Sequence, residues 1–188
     1  MKSEKEKMLA GELYLASDPE LVQERLEARE LLQLVNSSAP SEPENRVALI
    51  RKLVGKAGKN PWIEAPFYCD YGYNIQMGDD CFFNFNCVVL DVCSVQLGNR
   101  VFIGPAVQIY TATHPLDAKT RSAFWESGKP INIGSDVWIG GGAIICPGVS
   151  LSDRVVVAAG AVVTKSFPSE VVIAGNPAKI IRYLDSKK

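Results

Sequence analysis

The chain has 188 residues, 47% of them apolar and 22% charged, with a formal net charge of −1. A chain of that length and mix builds one globular unit with a core of useful size. Near-neutral charge offers little to a nucleic-acid backbone, and the longest apolar runs, residues 139–146 and 155–163, fall far short of the roughly 20 residues that span a membrane.

Residues 1–7 alternate charges and lack the apolar centre of a signal peptide, which predicts a cytoplasmic protein. Residues 1–60 read as a helical segment. Asp18-Pro19-Glu20 supplies a cap and a proline at the first helical position, ahead of Leu21, Val22, Leu26, Leu31, Leu32 and Val35. Ser41 and Glu44 have capping-box spacing ahead of Val47, Leu49, Ile50, Leu53 and Val54, and Gly55, Gly58 and Pro61 end that helix. Two or three helices are expected to cover the open end of a β structure built by the remaining residues, as part of one structural unit.

Those remaining residues are periodic. Ile63, Cys69, Ile75, Cys81, Cys87 and Cys93 recur every six residues. The phase slips by two before Val95, which places an irregular corner near residues 91–94. It then runs through Leu97, Ile103 and Ile109 and, after a gap, through Ile133, Ile139, Ile145, Leu151, Val157 and Val163. In this later phase a small or apolar residue stands two positions before each. Six fits neither a helical period of 3.6 nor an unbroken strand period of two. It fits short strands joined by corners, three faces to a coil of about 18 residues, with coils stacked by parallel pairing about 4.8 Å apart. Residues 61–188 are therefore expected to form a β solenoid. Four of the five cysteines fall on the repeat with no paired Cys/His metal spacing, so they read as small core residues.

The gap covers residues 111–130. It holds the only histidine, His114, and because Ile109 to Ile133 spans 24 residues, four repeats, the coil resumes in phase. So long an excursion costs ordering entropy, and such loops commonly carry function. Charge is also uneven. Residues 61–162 hold five basic and nine acidic side chains, whereas residues 163–188 hold five basic and two acidic. That asymmetry suits a polyhydroxyl site in the middle and a phosphate site near the end.

The repeats together with Ile109-Tyr110-Thr111-Ala112-Thr113-His114-Pro115 resemble the hexapeptide-repeat acetyltransferases. Within them the chain is similar to the maltose O-acetyltransferases, with the galactoside and nodulation-factor enzymes as relatives. The likeness is carried by Glu4-Lys5-Glu6-Lys7-Met8, Gly11-Glu12-Leu13-Tyr14, Cys69-Asp70-Tyr71-Gly72-Tyr73-Asn74, Leu90-Asp91-Val92-Cys93, Val137-Trp138-Ile139-Gly140-Gly141 and Gly175-Asn176-Pro177-Ala178. It runs from Glu4 to about Arg182.

The resemblance implies a left-handed parallel β-helix, a homotrimer, and direct transfer of acetyl from acetyl-CoA to a sugar hydroxyl with no metal. It places the general base on His114 and a transition-state contact on Asn84, and puts Asp70, Asp91 and, loosely, Asp18 on a maltose- or glucose-like acceptor. Gly141, Ala159, Thr164, Lys165, Lys179 and Arg182 would hold acetyl-CoA. Galactoside-type enzymes often carry a carboxylate where this chain has Val92, which favours the maltose type. Three-histidine zinc chemistry on this fold is excluded by the single histidine. An amine or other alcohol acceptor, or a non-catalytic scaffold, is the alternative.

Overall fold

The structure, a computed structural model, describes residues 2–184. Lys187 and Lys188, which belong to the basic end of the chain, lie outside the described residues.

Three helices precede the solenoid. Helix α1 (Glu4–Leu9) starts under Ser3, whose hydroxyl and the Glu6 carboxylate form a reciprocal capping box. Helix α2 (Pro19–Ser37) starts as expected, with the Asp18 carboxylate accepting from the Glu20 N–H. Helix α3 (Pro43–Leu53) departs from expectation, because Glu42 is its N-cap and no side chain caps it. Pro43 takes the first helical position and forces its predecessor out of the helical region. Ser41 is thereby pushed one residue outside the cap, and the Ser41–Glu44 box does not form.

Helices α2 and α3 seal the first coil, with Leu32, Val35, Ile50 and Leu53 joining the solenoid core. Helix α1 does not take part in that cover. Its Met8 packs with Tyr14, Leu21, Tyr71, Val92 and Cys93 in a separate cluster on one side of the stack.

The rest is a left-handed parallel β-helix of about six turns, a solenoid as the six-residue period predicts and of the hand the resemblance implies. Face one stacks Lys56–Ala57, Ile75–Met77, Val95–Leu97, Ile131–Ile133 and Ser150–Leu151. Face two stacks Trp62–Ile63, Phe82–Phe83, Phe102–Ile103, Trp138–Ile139, Val156–Val157 and Val171–Ala174, closed by the antiparallel Lys179–Tyr183. Face three stacks Phe67–Cys69, Cys87–Leu90, Gln108–Tyr110, Ile144–Ile145 and Val162–Val163. The inward aliphatic residues are buried throughout, each contributing about 1.5–3 kcal/mol by leaving water. All five cysteines are free thiols, and four are buried.

The register records where the chain departs from regularity. Val88 pairs with Gln108, 20 residues on; Gln108 pairs with Ile144, 36 on; Ile144 pairs with Val162, 18 on. The early coils thus carry two extra residues each, and the 36-residue step is one coil plus an 18-residue excursion.

Two of the three edges turn in a single residue of positive φ. Asn60, Asp80, Arg100, Asp136 and Arg154 do this between faces one and two, and Asn86, Ala106, Gly142 and Gly160 between faces two and three. Asn, Asp and Gly recur there because they tolerate the left-handed region best. All the extra residues fall on the third edge, between faces three and one. Among the described residues, no helix is long and apolar enough to cross a membrane.

Candidate active site

Three successive insertions build the site on that third edge. The first, residues 70–74, lies against the second, residues 91–94, through Asp91. This carboxylate is fully buried. Its Oδ1 accepts from the N–H of Asp70 (3.0 Å) and of Tyr71 (2.9 Å), and its backbone oxygen accepts from Asn74 Nδ2 at 2.7 Å. Oδ2 has no partner among the described residues. Burial outweighs the N–H donors and pushes the Asp91 carboxyl up to about 7. Thr111, also buried, ties the second insertion to the third: its hydroxyl donates to Leu90 O (2.7 Å) and accepts from Cys93 N–H (3.0 Å).

The third insertion is a hairpin. Ala112–Thr113 pairs antiparallel with Trp125–Gly128, and Trp125–Gly128 pairs on its other side with Tyr14–Leu15 from the N-terminal segment. Gly128 is required where the hairpin returns, since a Cβ there would lie 2.5 Å from Cys93 Sγ. A short helix α4 (Ala118–Ser122) closes the tip under an Asp117 cap, and Arg121 donates to the carbonyls of Pro115 and Leu116 at 3.0 Å each.

His114 follows the first hairpin strand directly, with its side chain about half exposed and Nε2 4.0 Å from Glu126 Oε1. Glu126 Oε2 accepts from the Tyr14 hydroxyl at 2.7 Å. These elements enclose a cleft of about 430 Å³. Its walls are Ala16, Ser17, Val22, Arg25 and Arg29 from the N-terminal segment and α2, Asp70, Tyr71, Leu90 and Val92 from the edge, and Ala112, His114, Phe124 and Glu126 from the hairpin. Arg25 is anchored to the Tyr71 hydroxyl (2.6 Å) and Ala16 O (2.7 Å). Burial, then the nearby Glu126 charge, raise the Asp70 carboxyl to about 6 against the opposing pull of Arg25 and Arg29. An imidazole able to take a proton faces carboxylates and guanidinium groups suited to hydroxyl-rich ligands.

The comparisons with known proteins agree with this architecture. Residues 7–58 match the model of the maltose acetyltransferase hexapeptide capping motif, and residues 130–165 match that of the hexapeptide repeat of succinyl-transferase. Nodulation protein L of Rhizobium meliloti is 48% identical over 95% of this chain and 98% of its own length. The chain belongs to the hexapeptide-repeat acetyltransferases. Among solved members, a maltose O-acetyltransferase from Clostridium difficile superposes with a TM-score of 0.97 at 46% identity, covering 98% of this chain and 99% of that one. A hexapeptide-repeat acetyltransferase from Vibrio cholerae, solved in complex with acetyl coenzyme A, gives a TM-score of 0.90 at 40% identity, covering 98% and 100%.

Of the residues singled out from sequence in this acetyltransferase, His114 and Asp70 meet in the cleft. Asp91 does not line it; the carboxylate lies beneath Asp70 and Tyr71 as a brace. Asp18 is occupied as the α2 cap, and the neighbouring Ala16 and Ser17 face the cleft instead. Asn84 sits on another edge, between faces two and three, where its Oδ1 accepts from the Phe85 N–H at 2.7 Å. Gly141 and Ala159 share that edge two coils and three coils further on. Thr164 and Lys165 leave the last strand of face three, and Lys179 and Arg182 lie on the closing strand of face two; all four are exposed.

The sequence reading missed Tyr14, Arg25, Arg29, Tyr71 and Glu126. Arg25 and Arg29 were legible as an i, i+4 pair beside the buried Leu21–Ala28–Leu32 stripe of α2. Glu126 had no such signal, because its place depends on hairpin register.

Proposed function

We propose that this acetyltransferase moves acetyl from acetyl-CoA to a hydroxyl of a small sugar of the maltose or glucose type, with His114 as general base. The observation that carries the reading is His114 on the wall of a cleft otherwise furnished with Asp70, Glu126, Arg25 and Arg29. A sugar hydroxyl is a poor nucleophile until its proton is taken. A ring nitrogen of His114 takes it as the oxygen attacks. Acetyl-CoA, as co-substrate, supplies the acetyl group as a thioester. When the carbon–sulfur bond breaks, the imidazolium returns the proton to the leaving thiolate.

Asn84 would donate its amide N–H to the oxyanion, and it can do so only from another copy, because in one chain it stands on a different edge from His114. A threefold ring satisfies this: the Asn84 edge of one copy meets the His114 edge of the next, a head-to-tail contact that closes after three. The outward side chains favour such a ring. Face one presents Lys56, Gln76, Gln96 and Asn132, whereas faces two and three present Phe102, Trp138, Tyr68 and Ile144. Two faces per copy are thus better buried than wet. The groove between copies would run past Gly141 and Ala159, small enough to admit a pantetheine chain, with Thr164, Lys165, Lys179 and Arg182 toward the phosphates.

The test is free-thiol release from acetyl-CoA against a panel of sugars and amino sugars. The His114→Ala enzyme should lose about 10²–10⁴ in kcat while calorimetry still detects acetyl-CoA. Unchanged turnover in the variant would remove the proposed base. An absence of binding heat with the wild type would favour a scaffold, and acetylation of amines alone would move the acceptor class.

A further inference from the structure

We infer that Glu126 is the positioning residue of His114 and that Tyr14 holds Glu126 in place, forming one Tyr14–Glu126–His114 row across the three-stranded sheet. This role rests on His114 being the base, since a base must be held in one orientation and one tautomer. Strand register aligns the three residues. The hairpin pairs Ala112 with Gly128 and Thr113 with Ser127, so the next position, His114, falls opposite Glu126. On the other side of the same strand Glu126 is paired directly with Tyr14. Residues opposite one another on adjacent antiparallel strands project to the same face with their Cβ atoms about 4.5–5.5 Å apart, so the three side chains form a line.

Atomic contacts join them. Tyr14 is fully buried, and its hydroxyl donates to Glu126 Oε2 at 2.7 Å. Burial and the Glu126 carboxylate both disfavour the phenolate, so this hydroxyl stays a donor. With Oε2 occupied, Oε1 is left toward His114 Nε2 at 4.0 Å. A small rotation of either side chain brings that pair within hydrogen-bond reach, a tightening often seen once substrates bind. The carboxylate then keeps the facing nitrogen protonated, leaves the other ring nitrogen bare as the proton acceptor, and steadies the imidazolium while it holds the acceptor's proton. The N-terminal segment thereby does more than cover the solenoid, because one of its side chains fixes the orienting group.

A competing role, Glu126 as a direct ligand of the acceptor, predicts different kinetics. The experiment measures kcat and both KM values for Glu126→Gln, Tyr14→Phe, the double variant, and Glu126→Gln in the His114→Ala background. Glu126→Gln is expected to lower kcat by about 10–100-fold, less than loss of the base itself, with both KM values within about twofold. Tyr14→Phe should lower kcat in the same direction by a smaller factor and add nothing to Glu126→Gln. In the His114→Ala enzyme Glu126→Gln should have no further effect, which a merely structural role would not produce.

A raised acceptor KM with intact kcat would make Glu126 a ligand and overturn the inference. So would an equal loss with and without His114. Glu126→Asp keeps the charge and should recover part of the rate; no recovery in a folded Glu126→Asp enzyme also counts against it. Wild-type turnover in His114→Ala would fell the base reading itself. An inactive His114→Ala beside a fully active Glu126→Gln would fell only this one.

Discussion

Two edges of the same prism solve one steric problem in opposite ways. Between faces two and three, after a first corner at Ala65-Pro66, the corners turn on one left-handed residue each, Asn86, Ala106, Gly142 and Gly160, with nothing inserted. Between faces three and one the chain carries extra residues, two each at residues 70–74 and 91–94 and then an 18-residue hairpin. The tight edge leaves no room for a cleft and presents small residues and backbone. The loose edge encloses about 430 Å³ and holds an imidazole, carboxylates and guanidinium groups. A regular stack is stable but chemically plain, so the titratable side chains gather where regularity is broken. Helix α1 and the strand Tyr14–Leu15 are spent on supporting that break.

The sharpest way to test the contrast is to ask whether the two edges work together only across copies. Asn84→Ala and His114→Ala enzymes should each lose most of their kcat, by about 10²–10⁴ for His114→Ala. If the edges meet between subunits, mixing the two by co-expression builds sites that take an intact His114 from one copy and an intact Asn84 from the next. Roughly a quarter of the sites in a randomly mixed ring have that combination, so activity should return to about that fraction of wild type. A mixture as inactive as its components would mean that both residues act within one chain or that Asn84 is not part of the site.

The loose edge also carries a cost that the tight edge does not, a buried carboxyl with one unpartnered oxygen. The folded-state pKa of Asp91, about 7, lies above the ordinary aspartate value of 3.8. The native state therefore holds its proton over a window in which the unfolded chain has released it. Stability contributed by that proton is present at pH 4 and is lost as pH rises toward 7, after which the cost is constant. Asp70, raised to about 6, titrates with the same sign. Denaturant unfolding should show the wild type losing on the order of 5 kcal/mol from these two groups between pH 4.5 and 7.5. Asp91→Asn should remove the larger share of that slope and Asp91→Asn/Asp70→Asn nearly all of it. A wild-type profile flat or rising across the window would show that both carboxyls are better partnered than their surroundings suggest.

The difference between the edges also explains how far the sequence could be read. The β-helix was legible because each coil demands an aliphatic side chain at the same step, from Ile133 to Val163 without a miss. The slip near residues 91–94 and the gap at residues 111–130 marked the irregular edge, and the lone His114 singled out the residue that lines its cleft. Three things were hidden. Asp91 reads like any acidic residue near a corner, and only burial separates a brace from a wall. Glu126 became a neighbour of His114 through hairpin pairing, which a six-residue period cannot express. The destination of α1 depended on Met8 finding Val92 and Cys93, a long-range contact with no local signature. The Ser41–Glu44 box failed for a local reason that was available, the proline between them.

The smallest expected effect concerns the basic end of the chain, where Lys165 follows the last strand of face three and Lys179 and Arg182 lie on the closing strand of face two. Lys165, Lys179 and Arg182 are exposed, so in the proposed reading each would contribute only a screened, partly hydrated contact to a phosphate. Lys165→Ala and Arg182→Ala should raise the KM for acetyl-CoA by about three- to tenfold, with kcat and the acceptor KM nearly unchanged. Added salt should weaken wild-type affinity for acetyl-CoA more than that of either variant, since the variants have already lost part of what salt screens. An effect confined to the acceptor KM would contradict the assignment of these cations to acetyl-CoA. Equal salt sensitivity in all three enzymes would leave the KM change to packing rather than to charge.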